Sequence, residues 1–209
     1  FLRFALASQM LVYGFDKAFP LQMPSPRLFT LVEPFGNFSP MGVLWSSVGA
    51  SHPYEIAVGC AEILGGLLLI LPRTTTLGAL ISLADVTYVF LLNMTYDVPV
   101  KLFSLHLILI CLILLVPEFP RFADFFLFNR PVAPAPAASL FRGQRARRIA
   151  LAVQIVFGLW LIALNIYGVR ESWKEYGPGA PLSPLYGIWN VEQFTLDGQT
   201  RPPLLTDKD

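Results

Sequence analysis

A chain of 209 residues that is 55% hydrophobic and 14% charged, with a mean hydropathy of +0.58, is too apolar for a soluble domain of this size. Its 15 basic and 14 acidic residues leave a net charge of +1, which carries no signal for nucleic acid, and none is expected as a partner. The composition predicts an all-α membrane protein whose first partner is the lipid bilayer, because about 20 mostly apolar residues cover a hydrocarbon core roughly 30 Å thick.

In chain order, Phe1 to Phe15 reads as most of a first helix; Phe1 is not an initiator methionine, so the start of this helix is expected to lie upstream. A cleaved leader is not expected, since Tyr13-Gly14-Phe15-Asp16-Lys17 stands where a small-residue cleavage site would fall. Residues 20–52 hold prolines at 20, 24, 26, 34 and 40 with aromatics between them, which predicts a loop along the membrane surface with a short interfacial helix around Met41 to Val48. The second span runs from Pro53 to Pro72, with proline in a favoured first helical position. Ala57, Ala61 and Gly65 recur every fourth residue, a stripe expected to let a neighbouring backbone come close. Glu55 and Glu62 are seven apart and share a helix face.

A tight Pro-Arg-Thr-Thr-Thr corner leads into the third span, Thr74 to about Thr95, where Gly78, Ser82 and Asp85 mark a face turned toward protein. The fourth span runs from Pro99 to Pro117, which makes residues 1–128 a four-helix transmembrane bundle. Residues 129–148 form a Pro/Ala and Arg-rich linker, semi-rigid where proline recurs. A fifth transmembrane helix over 149–168 follows, with Trp173 and Tyr176 as interfacial anchors. In 169–209, alternating residues around Asp197-Gly198 predict a strand and turn that begin an incomplete β domain. Arg3, Arg73 and the arginines at 121, 130, 142, 145, 147 and 148 fall on one side of a five-span topology. The positive-inside rule makes that side cytoplasmic and puts the β segment and C-terminus outside. The expected location is the inner (cytoplasmic) membrane of a prokaryote.

Three spans carry ionisable residues where lipid disfavours them: Glu62, Asp85 and His106. Each charge at the bilayer centre costs about 2.5–3.5 kcal/mol on insertion scales, so three unpaired ones would cost on the order of 8–10 kcal/mol. They are therefore expected to face one another, in a column opening toward the outer rim, where Asp16, Lys17, Glu55, Tyr88 and Lys101 stand. One reading makes Glu62, Asp85 and His106 a catalytic, proton-handling group, with histidine the natural shuttle at its ordinary pKa of about 6.5. The other has the same residues only fixing helix register. No metal site is expected: the spacing of zinc ligands is missing, and His52 and His106 differ in depth, which disfavours haem. Cys60 and Cys111 both read as packing residues.

Tyr13-Gly14-Phe15-Asp16-Lys17 and the run Glu62-Ile63-Leu64-Gly65-Gly66-Leu67-Leu68-Leu69, followed by a short turn and a third apolar span, resemble the DoxX family over residues 1–128. The resemblance maps the lysine of that family's signature to Lys17 and its glutamate to Glu62. It implies a four-helix membrane bundle and association with oxidoreductase systems such as thiosulfate:quinone oxidoreductase, quinol oxidase and membrane thiol-redox assemblies. Two functions follow as expectations. The chain is a subunit of an oxidoreductase system binding a quinone or similar molecule in an outward-facing polar pocket. Alternatively it is a non-catalytic anchor that positions an extracytoplasmic domain or a partner protein in a membrane complex.

Overall fold

The computed structural model describes residues 1–132, 141 and 143–202; most of the Pro/Ala linker, including Arg142, and residues 203–209 lie outside the described residues. In chain order the helices are α1 (Leu2–Ala18), α2 (Leu28–Val32), α3 (Pro40–Gly49), α4 (His52–Ile70), α5 (Thr75–Thr95), α6 (Lys101–Leu115), α7 (Phe119–Phe126) and α8 (Gln144–Glu175). A two-stranded sheet, β1 (Thr195–Leu196) and β2 (Gln199–Thr200), completes the chain. Among the described residues four helical stretches are long and apolar enough to cross a membrane: α4, α5, the continuous Lys101–Phe126 run and α8. The protein is thus a multi-pass helical membrane protein. The 17-residue α1 packs antiparallel along α4 and contributes Leu6, Ala7, Met10 and Leu11 to the core, each almost wholly buried.

Helices α1, α4, α5 and α6 close a ring: α4 lies between α1 and α5, and α6 packs on both α5 and α1. α8 lies outside the ring against α1 and α4. The ring closes tightly because glycines stand at both crossings of α4. A Cβ on Gly59 would come 2.5 Å from the Ala18 nitrogen and 2.6 Å from the Gly14 carbonyl oxygen, so α1 and α4 meet backbone to backbone there. On the other side a Cβ on Gly78 would lie 2.8 Å from the Leu69 nitrogen and 3.0 Å from the Gly65 oxygen, which sets the α4–α5 crossing. The close approach is therefore real but belongs to Gly59, Gly65 and Gly66, whereas Ala57 and Ala61 of the expected stripe are exposed. Glycine outcompetes alanine here because only its missing Cβ permits contact at these distances.

The ends of the elements follow local chemistry. Thr74 Oγ1 donates to the Leu68 carbonyl at 2.7 Å and Thr75 Oγ1 to the Leu71 carbonyl at 3.0 Å, so the corner satisfies carbonyls that α4 leaves open at its C-terminus. α6 begins at Lys101 rather than Pro99, because Asp97 takes a left-handed conformation (φ 54°) and the Val98 amide bonds back to the Asn93 carbonyl. The helical run also passes Pro117: that proline sits at the start of a 3-10 turn, where its missing N–H costs nothing, and α7 continues beyond it. α8 extends past both ends of the expected fifth span, and its 32 residues amount to roughly 48 Å, more than a hydrocarbon core requires.

Arg3 at the start of α1 donates to Thr75 Oγ1 at 3.2 Å and to Gln154 Oε1 of α8 at 2.8 Å, gathering the start of α1, the α4–α5 corner and the early part of α8 at one end of the bundle. At the other end, Phe19 and Trp173 meet edge to face at 6.4 Å. There α3, capped by the Ser39 hydroxyl accepting from the Gly42 amide at 3.1 Å, lies across the bundle mouth. It holds the 22–24 loop beneath it, with Trp45 Nε1 donating to the Gln22 carbonyl at 3.1 Å. The expected turn at Asp197-Gly198 is present: both residues have positive φ, and Thr195 pairs with Thr200 and Leu196 with Gln199.

Replacing Gly59 by leucine is expected to remove about 3 kcal/mol or more of stability, because backbone atoms rather than a movable side chain stand in the way. Unfolding in mixed micelles followed by circular dichroism reads this directly. Ala57→Leu, on the exposed face, should leave the midpoint unchanged, and equal midpoints for the two variants would contradict the crossing.

Candidate functional site

Each crossing helix carries a glycine three residues before a charged one: Gly14 before Lys17 on α1, Gly59 before Glu62 on α4. Three residues is close to one helical turn, so each charged side chain projects beside the point of closest approach. The result is a buried ion pair in which Lys17 Nζ donates to Glu62 Oε1 at 2.6 Å and Oε2 at 2.7 Å, with side chains only 7% and 4% exposed. The ammonium also lies 5.5 Å from the centre of the Tyr13 ring. Asp85, half-buried on α5, comes against Glu62 close enough to interact with it and with Lys17, and its Oδ2 is buried without a hydrogen-bond partner. Two carboxyl groups beside one ammonium leave a negative charge uncompensated in a low-dielectric site unless a proton is held with them.

Above the pair is a cavity of about 250 Å³ between α1, α4, α5 and α6, roofed by α3 and the 22–23 loop. Its wall is predominantly apolar, from residues such as Met10, Leu44, Val58, Val86 and Leu107, and Lys17, Glu62, Glu55 and Asn93 supply polar points. Glu55 is wholly buried; its Oε1 accepts from the Met23 amide at 3.0 Å, which ties the roof loop to α4, while Oε2 has no partner. Asn93 Nδ2 donates to Ser104 Oγ at 3.0 Å, joining α5 to α6 on the facing wall. Tyr54 and Tyr88 share a hydrogen bond of 2.9 Å between their hydroxyls and also line the cavity. An apolar chamber with few, convergent polar groups is the usual form of a small-molecule site.

The structure brings Glu62 and Asp85 together and leaves His106 out. His106 lies on the exposed face of α6, where its Nδ1 meets the carbonyl of Leu102 one turn earlier at 2.5 Å. The helix phase decides this: Ser104, Leu107 and Cys111 form the buried face of α6, and position 106 falls on the other side. Of the expected rim, Lys17 moves to the centre of the site, since α1 runs on to Ala18 and the roof covers its end. Glu55 and Tyr88 line the cavity, whereas Asp16 and Lys101 do not. Lys101 pairs with exposed Asp97, and its ammonium holds the Asp97 carboxyl below the usual range. Cys111 packs in the core as expected; Cys60 is exposed. Sequence reasoning missed the Asn93–Ser104 bond and the roof, but the Gly-x-x-Lys and Gly-x-x-Glu spacing was a readable sign of the central pair. Among the described residues no group of three or more His, Cys, Asp or Glu side chains could hold a metal ion.

A multi-pass helical membrane protein with a buried lysine–glutamate pair beneath an apolar cavity is the class that fold and site define. The chain is 32% identical over 133 residues to a Bacillus subtilis (strain 168) protein described as uncharacterized protein YwoB, a match covering 59% of this chain and 79% of that relative. It therefore belongs to the YwoB family. No family model matches the chain. No solved structure matches it either.

Lys17→Met would leave Glu62 buried and unpaired and is expected to cost about 3–5 kcal/mol, with much of it regained in the Lys17→Met/Glu62→Leu double variant. His106→Ala should change stability by less than about 0.5 kcal/mol. Denaturation midpoints of the four proteins, wild type included, check both.

Proposed function

We propose that this protein is a DoxX-like membrane subunit of an oxidoreductase system and that it holds a quinone-class ring in the cavity above Lys17 and Glu62. The observation that carries this reading is the Lys17–Glu62 pair at the polar end of an otherwise apolar chamber, with the Asp85 carboxyl behind it against Glu62. Reduction of a quinone takes up protons and its reversal releases them, so acids within reach of the ring oxygens suit that chemistry. The apolar wall suits the ring and the first part of a lipid tail. The oxidoreductase setting rests on the resemblance of the Gly14–Lys17 and Glu62–Leu69 segments to the DoxX pattern. In this reading the proton route runs between Glu62 and Asp85 and does not include His106.

A second reading, the non-catalytic anchor, has one observation in its favour. After α8 the segment around Leu182, Leu185, Tyr186, Ile188, Trp189 and Val191 is exposed, as a partner-binding extension would be.

Trp45 lines the cavity, so a short-chain benzoquinone titrated into the detergent-purified protein is expected to quench tryptophan fluorescence saturably, with the saturable part lost in Trp45→Phe. Filling the chamber with Val58→Phe should weaken binding about tenfold or more. A linear, non-saturating response in wild type overturns the reading and favours the anchor.

A further inference from the structure

The cavity wall contains polar groups that bond within the protein and buried acceptors that do not. Several of its donors are committed inside the protein. Lys17 bonds both oxygens of Glu62, Asn93 Nδ2 bonds Ser104, the Ser104 hydroxyl bonds the Lys101 carbonyl at 2.9 Å, and Trp45 Nε1 bonds the Gln22 carbonyl. Two acceptors are not. Glu55 Oε2 belongs to a side chain with no exposure at all and has no partner, and Gln22, also in the cavity wall, has a buried Oε1 without one. The tyrosine hydroxyls at 13, 54 and 88 both donate and accept, so they do not discriminate between ligands. A hydroxyl donates to an ionised carboxylate and also accepts from a protonated one, whereas a carbonyl or ether oxygen only accepts, so a hydroxyl against Glu55 Oε2 is satisfied in either charge state and a carbonyl oxygen only when the carboxyl holds a proton.

We infer that Glu55 is the specificity-determining residue of this cavity and that it selects a ring presenting a hydroxyl over one presenting only carbonyl or ether oxygens. The inference rests on the reading of the cavity as a quinone-class site and deepens it: of the two redox forms of such a ring, the dihydroxy form is held more tightly. Glu55 has a second task in the same geometry. Its other oxygen holds the Met23 amide, so the residue that reads the ligand also fastens the roof over it. A site built to bond a hydroxyl rejects the analogue lacking it far more strongly than an apolar pocket rejects a missing methylene.

The test uses two probe pairs on the 209-residue chain in detergent. One is 4-butylphenol against 4-butylanisole, which differ only in the donor; the other is trimethylhydroquinone against trimethylbenzoquinone under anaerobic conditions. Calorimetric titration is expected to give the hydroxyl member of each pair at least about tenfold tighter binding. Glu55→Gln keeps an oxygen for the Met23 amide and replaces the free acceptor by a donor, so the preference should fall below about threefold or invert. Equal binding of phenol and methyl ether to the wild type overturns the role of Glu55 while leaving the cavity reading intact. A preference that survives in Glu55→Gln does the same. Binding of none of the four probes overturns both. The wild-type comparison stands by itself if the variant fails to fold.

Discussion

The salt bridge between Lys17 and Glu62 is the constraint on which the rest of this molecule depends. A lysine and a glutamate have no place in apolar helices unless they meet, and they meet only if the two backbones come within contact distance. Gly14 and Gly59 permit that approach, and the bidentate contact at 2.6 and 2.7 Å then compensates both charges away from water. Burying a charge pair seldom adds much net stability, because desolvation offsets the attraction. What it does add is register: sliding α1 along α4 by a turn would strand two charges, so this alignment is selected over its neighbours.

From that alignment the cavity follows. With α1 and α4 locked at Gly14–Gly59, and α4 and α5 at Gly65–Gly78, the remaining space opens toward α6, whose Phe103, Ser104 and Leu107 line it. The roof is held separately, by the Met23 amide on Glu55 and the Trp45 indole on the Gln22 carbonyl. Polar groups thus occur at two levels: the ion pair with Asp85 beside it on the bundle side, and Glu55 under the roof. The chamber therefore has the Lys17–Glu62 ion pair on one side and the unpartnered Glu55 Oε2 on the other. That asymmetry distinguishes the chamber from a packing defect between helices, which would be apolar throughout.

α8 stands apart from this core. It contacts α1 and α4 through a narrow strip that includes Gly158, Leu161 and Val169 and leaves most of its surface outward. In a bilayer an outward apolar face is simply solvated by lipid, so α8 needs no further partner to be stable there. On either side of that strip Gln154 receives Arg3, and Trp173 meets Phe19.

Apolar, membrane-spanning character, the order of the apolar helices, the proline-bounded start of α4, the short helix α3 and the Asp197-Gly198 turn were all legible in the sequence. Each is set by composition or by a few consecutive residues. The close contact of α4 with its neighbours was legible in kind and correct at Gly65, but Ala57 and Ala61 were placed in it and Gly59 was not, because alanine and glycine look alike as a pattern and differ only when a backbone arrives at 2.5 Å. The site was half legible. That Glu62 and Asp85 would turn inward followed from the cost of leaving them in lipid, whereas His106 was drawn into the same argument although histidine is content to bond its own helix's carbonyl. Lys17 was placed at the rim because nothing local says that α1 continues beneath a roof made of residues far along the chain. The sequence by itself determined which segments are helical and which charges require a partner, since hydropathy and desolvation are properties of short stretches. Only the tertiary structure decided which partner each charge found, because that depends on helix phase and on crossing points set by glycines in two different helices.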